Sequence, residues 1–250
     1  MYSTDRVAKL AALCFMAAAA AAPISAATLV VRSAGPSAAS YPPGKMLQPT
    51  AKLVLKANDQ VTLLDEHGTR TLRGPGNFAA TATAAVDADS GNTALAALVS
   101  QRTDRRVRIG AVRGVESETG RPPNIWFIDA SRAGTVCVAD PATANLWRPG
   151  SDAPAKTVIA SATGSARATI DWSPGQAVGA WPSALPITEG ARYMLTTGTS
   201  APVEVRITLS GKPAADVQGM ASTLIAKGCA AQLDQLVETT AAATKASGGE

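Results

Sequence analysis

Residues 63–76, LLDEHGTRTLRGPG, hold the only histidine of the 250-residue chain, and two readings compete for them. His67 stands beside Asp65 and Glu66, a base and carboxylates of the kind that active sites use near neutral pH. The same residues carry turn chemistry. Gly68 follows the histidine, and Gly74-Pro75-Gly76 closes the stretch. Neighbours along a strand point to opposite faces, so three adjacent polar side chains do not form a relay. The stretch therefore reads as two strands and their turns. Glu66-His67-Gly68 turns the first hairpin and Gly74-Pro75-Gly76 ends its second strand, with glycine supplying the positive backbone angle that such turns need.

Working outward, KLVLKA alternates around Leu53 and Leu55, Asn58-Asp59 turns into QVTLLD, and NFAATAT follows the second turn. Strands of about five residues joined by short turns predict an antiparallel meander. With the apolar strand TLVVRS before it and the loop GPSAASYPPGK between, a β domain is expected over residues 28–86.

The period then changes. Leu95, Leu98 and Val99 fall at helical spacing, with Ser90 or Asn92 as cap. The helix runs into Arg102, Arg105, Arg106, Arg108 and Arg113. Cations at a helix C-terminus are favoured by its dipole, so these arginines read as a solvated helix end or as a surface for an anionic partner. Val115–Asn124, VESETGRPPN, reads as an exposed linker that proteases cut first, so residues 87–123 are assigned to a helix and basic linker. Strand patterns return over 124–211, with turn signals at Pro149-Gly150, Pro174-Gly175 and Glu189-Gly190. That spacing predicts a β-sandwich-like domain. In the last segment, 212–250, Val217, Met220, Leu224, Leu233 and Leu236 form a helical stripe from about Ala214 to Thr239 with a kink near Gly228, followed by a loose tail. The expected fold is mainly β, with a connecting helix and a C-terminal helix.

The first residues set the compartment. Arg6 and Lys9 precede an uncharged apolar run from Leu10 to Ala22, Pro23 breaks it, and Ser25-Ala26-Ala27 offers small residues to a peptidase. This is the layout of a cleaved signal peptide, residues 1–27, with a cut after Ala27 or, as the alternative, after Ala26. The run is shorter than the roughly 20 residues a bilayer requires, so membrane association is expected only if the signal stays uncleaved. Cys14 leaves with the signal, and Cys137 and Cys229 remain as an even pair in an oxidising compartment, predicting one disulfide. Residues 1–27 carry two cations and one anion, so the net charge falls from +4 to +3 on their removal. With aromatics at 4% and no aromatic interleaved among the arginines, a nucleic-acid partner is not expected.

Catalytic sets are missing. There is no G-x-S-x-G, no S-x-x-K, no H-E-x-x-H and no phosphate-binding G-x-x-x-x-G-K-[ST]. No feature selects a carboxylate pair for glycoside cleavage. No metal or cofactor is expected, and the chain reads as a non-enzyme. Trp126, Trp147, Trp172 and Trp181 all lie in the second β region. Such a set either packs in the core or forms a sugar platform, with Trp147, Trp172 and Trp181 the candidate contacts.

LKANDQVTLLDEHGTRTLRGPGNF resembles the core of the periplasmic FecR domain, over about residues 45–82. Asn58-Asp59 stands where that family has Gly-Asp, Gly68 supplies the second turn and Gly74-Pro75-Gly76 the third. RTLRGPG, GAVRG and GMASTLIAKGC also resemble segments of a group of secreted alphaproteobacterial proteins, a likeness that implies no activity. FecR-like proteins act in cell-surface signalling, where a periplasmic domain binds an outer-membrane transducer and a cytoplasmic part controls a sigma factor. Only Met1 to Lys9 precede the apolar run here, so the resemblance implies a periplasmic binding or scaffold role without sigma-factor control. The expected partner is an envelope protein or the cell wall. The alternative is a carbohydrate- or peptidoglycan-binding module.

Overall fold

The computed structural model of the chain describes residues 27–66, 68–81 and 120–247. It is mainly β, and two helices close the described chain. The first sheet has the order β2-β1-β4-β5, built from β1 (Thr28–Ala34), β2 (Met46–Leu47), β4 (Gln60–Asp65) and β5 (Gly68–Arg73). The β4–β5 hairpin forms where the sequence places it. Asp65 and Gly68 are its closing pair, and Gly68 has φ 121°, in the region that favours glycine. His67 lies outside the described residues.

The meander expectation needs one correction. β3 (Lys52–Leu55) does not pair with β4; it pairs with β6 (Gly76–Ala79) as a separate two-stranded ribbon. The hairpin is thus inserted between the two ribbon strands. The corner at Lys56–Asp59 turns the chain away from the first sheet. Asn58 has φ 67°, the Asp59 carboxylate accepts the Ser37 amide at 2.8 Å and also the Lys56 amide, and Gly74 N donates to the Asp59 carbonyl at 3.0 Å. The vacated edge of β4 is filled by β1, paired from Leu29↔Leu64 to Ala34↔Gln60. Val30, Leu47, Leu53, Leu55, Val61 and Leu63 are buried between the sheet and the ribbon.

The second β region is a sandwich. Its larger sheet runs β11-β10-β13-β14-β8 and its smaller sheet β12-β9-β7. The strands are β7 (Ile128–Asp129), β8 (Gly134–Val138), β9 (Asn145–Trp147) and β10 (Ala155–Ser161), followed by β11 (Arg167–Trp172), β12 (Val178–Ala180), β13 (Arg192–Thr197) and β14 (Val203–Leu209). Ile128 and Leu146 of the small sheet meet Ile159, Leu195, Val205 and Ile207 of the large one in a single core. Arg148 is buried beside this core, and among the described residues no carboxylate pairs with it. Its guanidinium instead donates to the carbonyls of Gln176 and Gly150 at 3.0 Å and of Ala153 at 2.8 Å, and its charge lies 5.4 Å from the Trp172 ring. Five donors in a rigid fork can satisfy several loop carbonyls at once, so one side chain ties two turns together.

The C-terminal segment forms two helices rather than one kinked helix: α1 (Val217–Lys227) and α2 (Ala230–Ser247). Asp216 caps α1, accepting the Gly219 amide at 2.7 Å. Gly228 breaks the run with φ 73°. Its amide returns to the Ile225 carbonyl at 3.1 Å and the Cys229 amide to Leu224 at 2.9 Å, the double bond of a left-handed glycine C-cap. The break turns the helical stripe between the two β regions. Leu29, Val31 and Leu64 of the first sheet share one core with Val217, Met220, Leu224, Leu233 and Leu236, and with Ile125 and Cys137 of the second region. Cys137 and Cys229 form a disulfide with Cα atoms 5.8 Å apart.

Candidate binding groove at the helix junction

The groove begins with an irregularity in β1. Pairing with β4 shifts register between Val30 and Arg32, the signature of a bulge, which places an extra residue on one strand and re-aims the next side chain. Val31 enters the core shared with the helices, and Arg32 also turns toward them. Arg32 Nε donates to Asp234 Oδ1 of α2 at 2.9 Å, and Glu238 lies 3.7 Å from the same guanidinium. Strict alternation would have sent one of the two residues to the other face.

Between β1 and the helix pair lies an open groove of about 560 Å³. Val31, Leu224, Ile225 and Leu233 form its apolar bed, and Arg32 and Asp234 stand on its polar margin. Pro43 also lines the groove, and the adjacent Gly44 packs close to Ile225, where a Cβ would come 3.3 Å from Ile225 Cγ2. Small-molecule and side-chain pockets of roughly 300–1,000 Å³ share this make-up, an apolar floor with a few placed polar groups. A smaller cavity of about 100 Å³ opens beside it, lined by Arg121, Asp129, Arg132, Asp234 and Glu238 among others. Its charges already pair, Arg121 with Glu238 and Arg132 with Asp129.

No protein-family model, curated protein or solved structure matches this chain. The groove must therefore be read from its own chemistry.

The sequence-derived site residues distribute as follows. Cys137 and Cys229 are joined, as expected. Arg102, Arg105, Arg106, Arg108 and Arg113 lie outside the described residues, as does the helix placed before them. The sugar-contact reading is corrected. Trp147 and Trp172 are 3% and 2% exposed, so neither presents a ring face. Trp172 Nε1 donates to Thr157 Oγ1 at 2.8 Å, which meets Thr197 Oγ1 at 2.8 Å. Trp181 is half-buried, its Nε1 held by the Leu185 carbonyl at 2.6 Å and its ring edge-on to Tyr193 at 5.1 Å. Burial raises the Tyr193 hydroxyl above its usual range, and that hydroxyl donates to the Pro186 carbonyl. A wide ring buried in a thin sandwich removes more apolar surface from water than any smaller residue could, and all three rings serve that purpose.

The linker reading is corrected at its C-terminal end. Arg121 pairs with Glu238, the Pro122 carbonyl accepts Gln235 Nε2, and Asn124 is buried. This part is docked on α2 rather than free. Sequence reasoning missed the groove because its walls come from β1, β4, the loop at Pro43 and both helices. The only local sign was Gly228, whose left-handed cap bends α1 away from α2. Among the described residues, no group of three or more His, Cys, Asp or Glu could hold a metal, and no helix is long and apolar enough to cross a membrane.

Proposed function

We propose that this chain is a non-enzymatic binding or scaffold protein of the periplasm that holds a segment of another envelope protein in the groove between β1 and the helix pair. The groove carries this reading: about 560 Å³ of open space with an apolar floor and a charged margin suits apolar side chains displayed by a peptide backbone. Export is supported by the charged, apolar and small-residue order of residues 1–27. The Cys137–Cys229 disulfide is compatible with an oxidising compartment. The FecR-like pattern of LKANDQVTLLDEHGTRTLRGPGNF supports a role outside the cytoplasm, in signalling at the cell surface. A protein segment is preferred to a glycan because Trp147 and Trp172, two of the three candidate sugar contacts, are buried in the core.

The test is affinity capture from periplasmic and outer-membrane extracts, with wild type beside Ile225→Glu. Ile225 is half-buried at the groove, so the substitution places a charge on its floor while leaving most of the core intact. The expected result is one envelope protein retained by wild type and lost by the variant. Equal capture by both, or pelleting with purified peptidoglycan instead, would move the function away from the groove.

A further inference from the structure

β11 is an edge of the five-stranded sheet, with β10 as its neighbour. The pairs run from Ala155↔Trp172 to Ala160↔Arg167, and Ser161 N donates to the Ala166 carbonyl at 2.9 Å. Antiparallel ladders alternate between pairs that exchange hydrogen bonds and pairs that do not. Counting from Ser161 and Ala166, the backbone groups of Ala168, Ile170 and Trp172 face β10. Those of Arg167, Thr169 and Asp171 face outward, and among the described residues no hydrogen bond reaches them. The opposite edge of the same sheet is treated differently. There the side chain of Gln232 on α2 stands in for a strand, accepting the Cys137 amide at 2.7 Å and donating to the Cys137 carbonyl at 2.8 Å.

The side chains on the open edge have an order. Arg167, Thr169 and Asp171 are exposed on one face, and Ala168 and Ile170 are half-buried on the other. Edge charges usually deter pairing, but here a cation and an anion are spaced equally about a neutral residue. We propose that β11 pairs antiparallel with β11 of a second copy of this chain, about a two-fold axis through Thr169.

That register satisfies three conditions at once. The outward groups of Arg167, Thr169 and Asp171 meet those of Asp171, Thr169 and Arg167 of the other copy, each pair exchanging two hydrogen bonds. Side chains of directly opposed residues share a face, so each copy's Arg167 lies beside the other's Asp171 and the two Thr169 side chains meet, both favourable cross-strand pairs. On the reverse face Ala168 meets Ile170, covering the half-buried rim of the sandwich. A slip of two residues leaves Arg167 or Asp171 opposite a threonine, and a slip of one misaligns every backbone group. Parallel pairing would bring like charges together. The interface is isologous and closes as a dimer. Asp171 is also 3.3 Å from Lys156, but both side chains are more than half exposed, so that contact does not remove it from the edge.

Sedimentation equilibrium of the purified chain, as processed by the cell, tests the assignment. Wild type is expected to populate a dimer with rising concentration. Arg167→Asp and Asp171→Arg each place like charges opposite one another, and each is expected to weaken association by roughly tenfold or more. An equimolar mixture of the two variants is expected to recover the dimer, because one copy then offers two acidic residues and the other two basic ones. Thr169→Cys in otherwise wild-type protein is expected to crosslink under mild oxidation, since opposed hydrogen-bonded residues lie about 5.5 Å apart at Cα, within disulfide reach. Wild type that stays monomeric up to about 1 mM would overturn the proposal. So would a dimer that ignores both charge reversals, or one that gives no Thr169→Cys crosslink.

Discussion

Arg32 of β1 and Asp234 of α2 meet with Nε 2.9 Å from Oδ1, across the junction where the first sheet receives the helices. The contact exists because the bulge at Val31 turns Arg32 to the helix side. It is not what holds the junction together. The two side chains are 39% and 48% exposed, and exposed ion pairs contribute about 0.5 kcal/mol. A double-mutant cycle of Arg32→Ala and Asp234→Ala in urea is expected to give a coupling of that size, shrinking with added salt. Leu236, in the core shared by the first sheet and the helices, is fully buried, and Leu236→Ala is expected to cost about 3 kcal/mol. A coupling energy larger than the Leu236 loss would reverse this ranking.

The disulfide constrains a long loop. Cys137 and Cys229 are 92 residues apart, for which chain entropy gives about 4 to 5 kcal/mol of stabilisation. Paired Cys137→Ser and Cys229→Ser substitution should lower the denaturation midpoint accordingly. Alkylation of the unreduced protein followed by mass spectrometry should find neither thiol free. Labelling of either residue in the folded protein would refute the crosslink.

Gly74 is required by space. A Cβ at this position would lie 2.0 Å from the Lys56 carbonyl oxygen and 2.9 Å from Leu55 Cβ. Gly74→Ala must push the end of β3 outward and is expected to cost about 2 kcal/mol. Gly150 offers the comparison, with φ 65° and no atom within 4 Å of its Cβ position. There only the left-handed backbone is strained, at about 1 kcal/mol. Equal losses for the two alanine variants would show that the close approach is not the cause.

Asp59 makes the first β region sensitive to acid. Burial would raise its carboxyl, but hydrogen bonds from the side chain and amide of Ser37 and the amide of Lys56, with the Lys56 charge, together hold it below its ordinary 3.8. A carboxyl depressed by folding contributes stability that is fully present above 3.8 and lost as pH falls through the lowered value. Asp59→Asn is expected to be destabilised near neutrality, and the gap to wild type should narrow as pH drops below 3.8. Urea midpoints measured across that range would expose the error if the gap stayed constant.

Thr28 bears on where the signal segment expected over residues 1–27 would be cut. It is fully buried, its hydroxyl donates to the Ala80 carbonyl at 3.0 Å, and the preceding Ala27 carbonyl accepts Gln218 Nε2 at 2.7 Å. A cut after Ala27 would bury a new ammonium group there and remove the acceptor, both unfavourable. Cleavage of the proposed signal segment is therefore expected after Ala26 rather than after Ala27. An intact mass starting at Thr28 would contradict this.

Much of the fold is local and was legible in the chain. The β4–β5 hairpin follows from Gly68, whose positive φ closes the turn, and the strand pattern follows from alternating burial over two residues. The cysteine pair follows from the even count left once the expected signal segment is set aside. The pairing of β1 with β4, the docking of Arg121 and Pro122 on α2 and the burial of Trp147 and Trp172 were not legible. Each depends on partners distant in sequence, and the hydrophobic effect that drives them is non-directional. A tryptophan at a sugar site and a tryptophan in a core are the same residue until its neighbours are known.

The groove is the clearest case of this division. Residue type settled that Val31, Leu224, Ile225 and Leu233 would seek cover, and Gly228 settled that the helix would break. Whether the cover was complete depended on how far α1 and α2 could close on a bulged strand. Close packing demands matched shapes on both sides; Val31, Leu224 and Leu233 are covered, while Ile225 stays half-exposed at the groove. Alternation, capping and turn chemistry act over a few residues and can be read along the chain. The space left between packed surfaces belongs to all of them together, and it appears when the chain has folded.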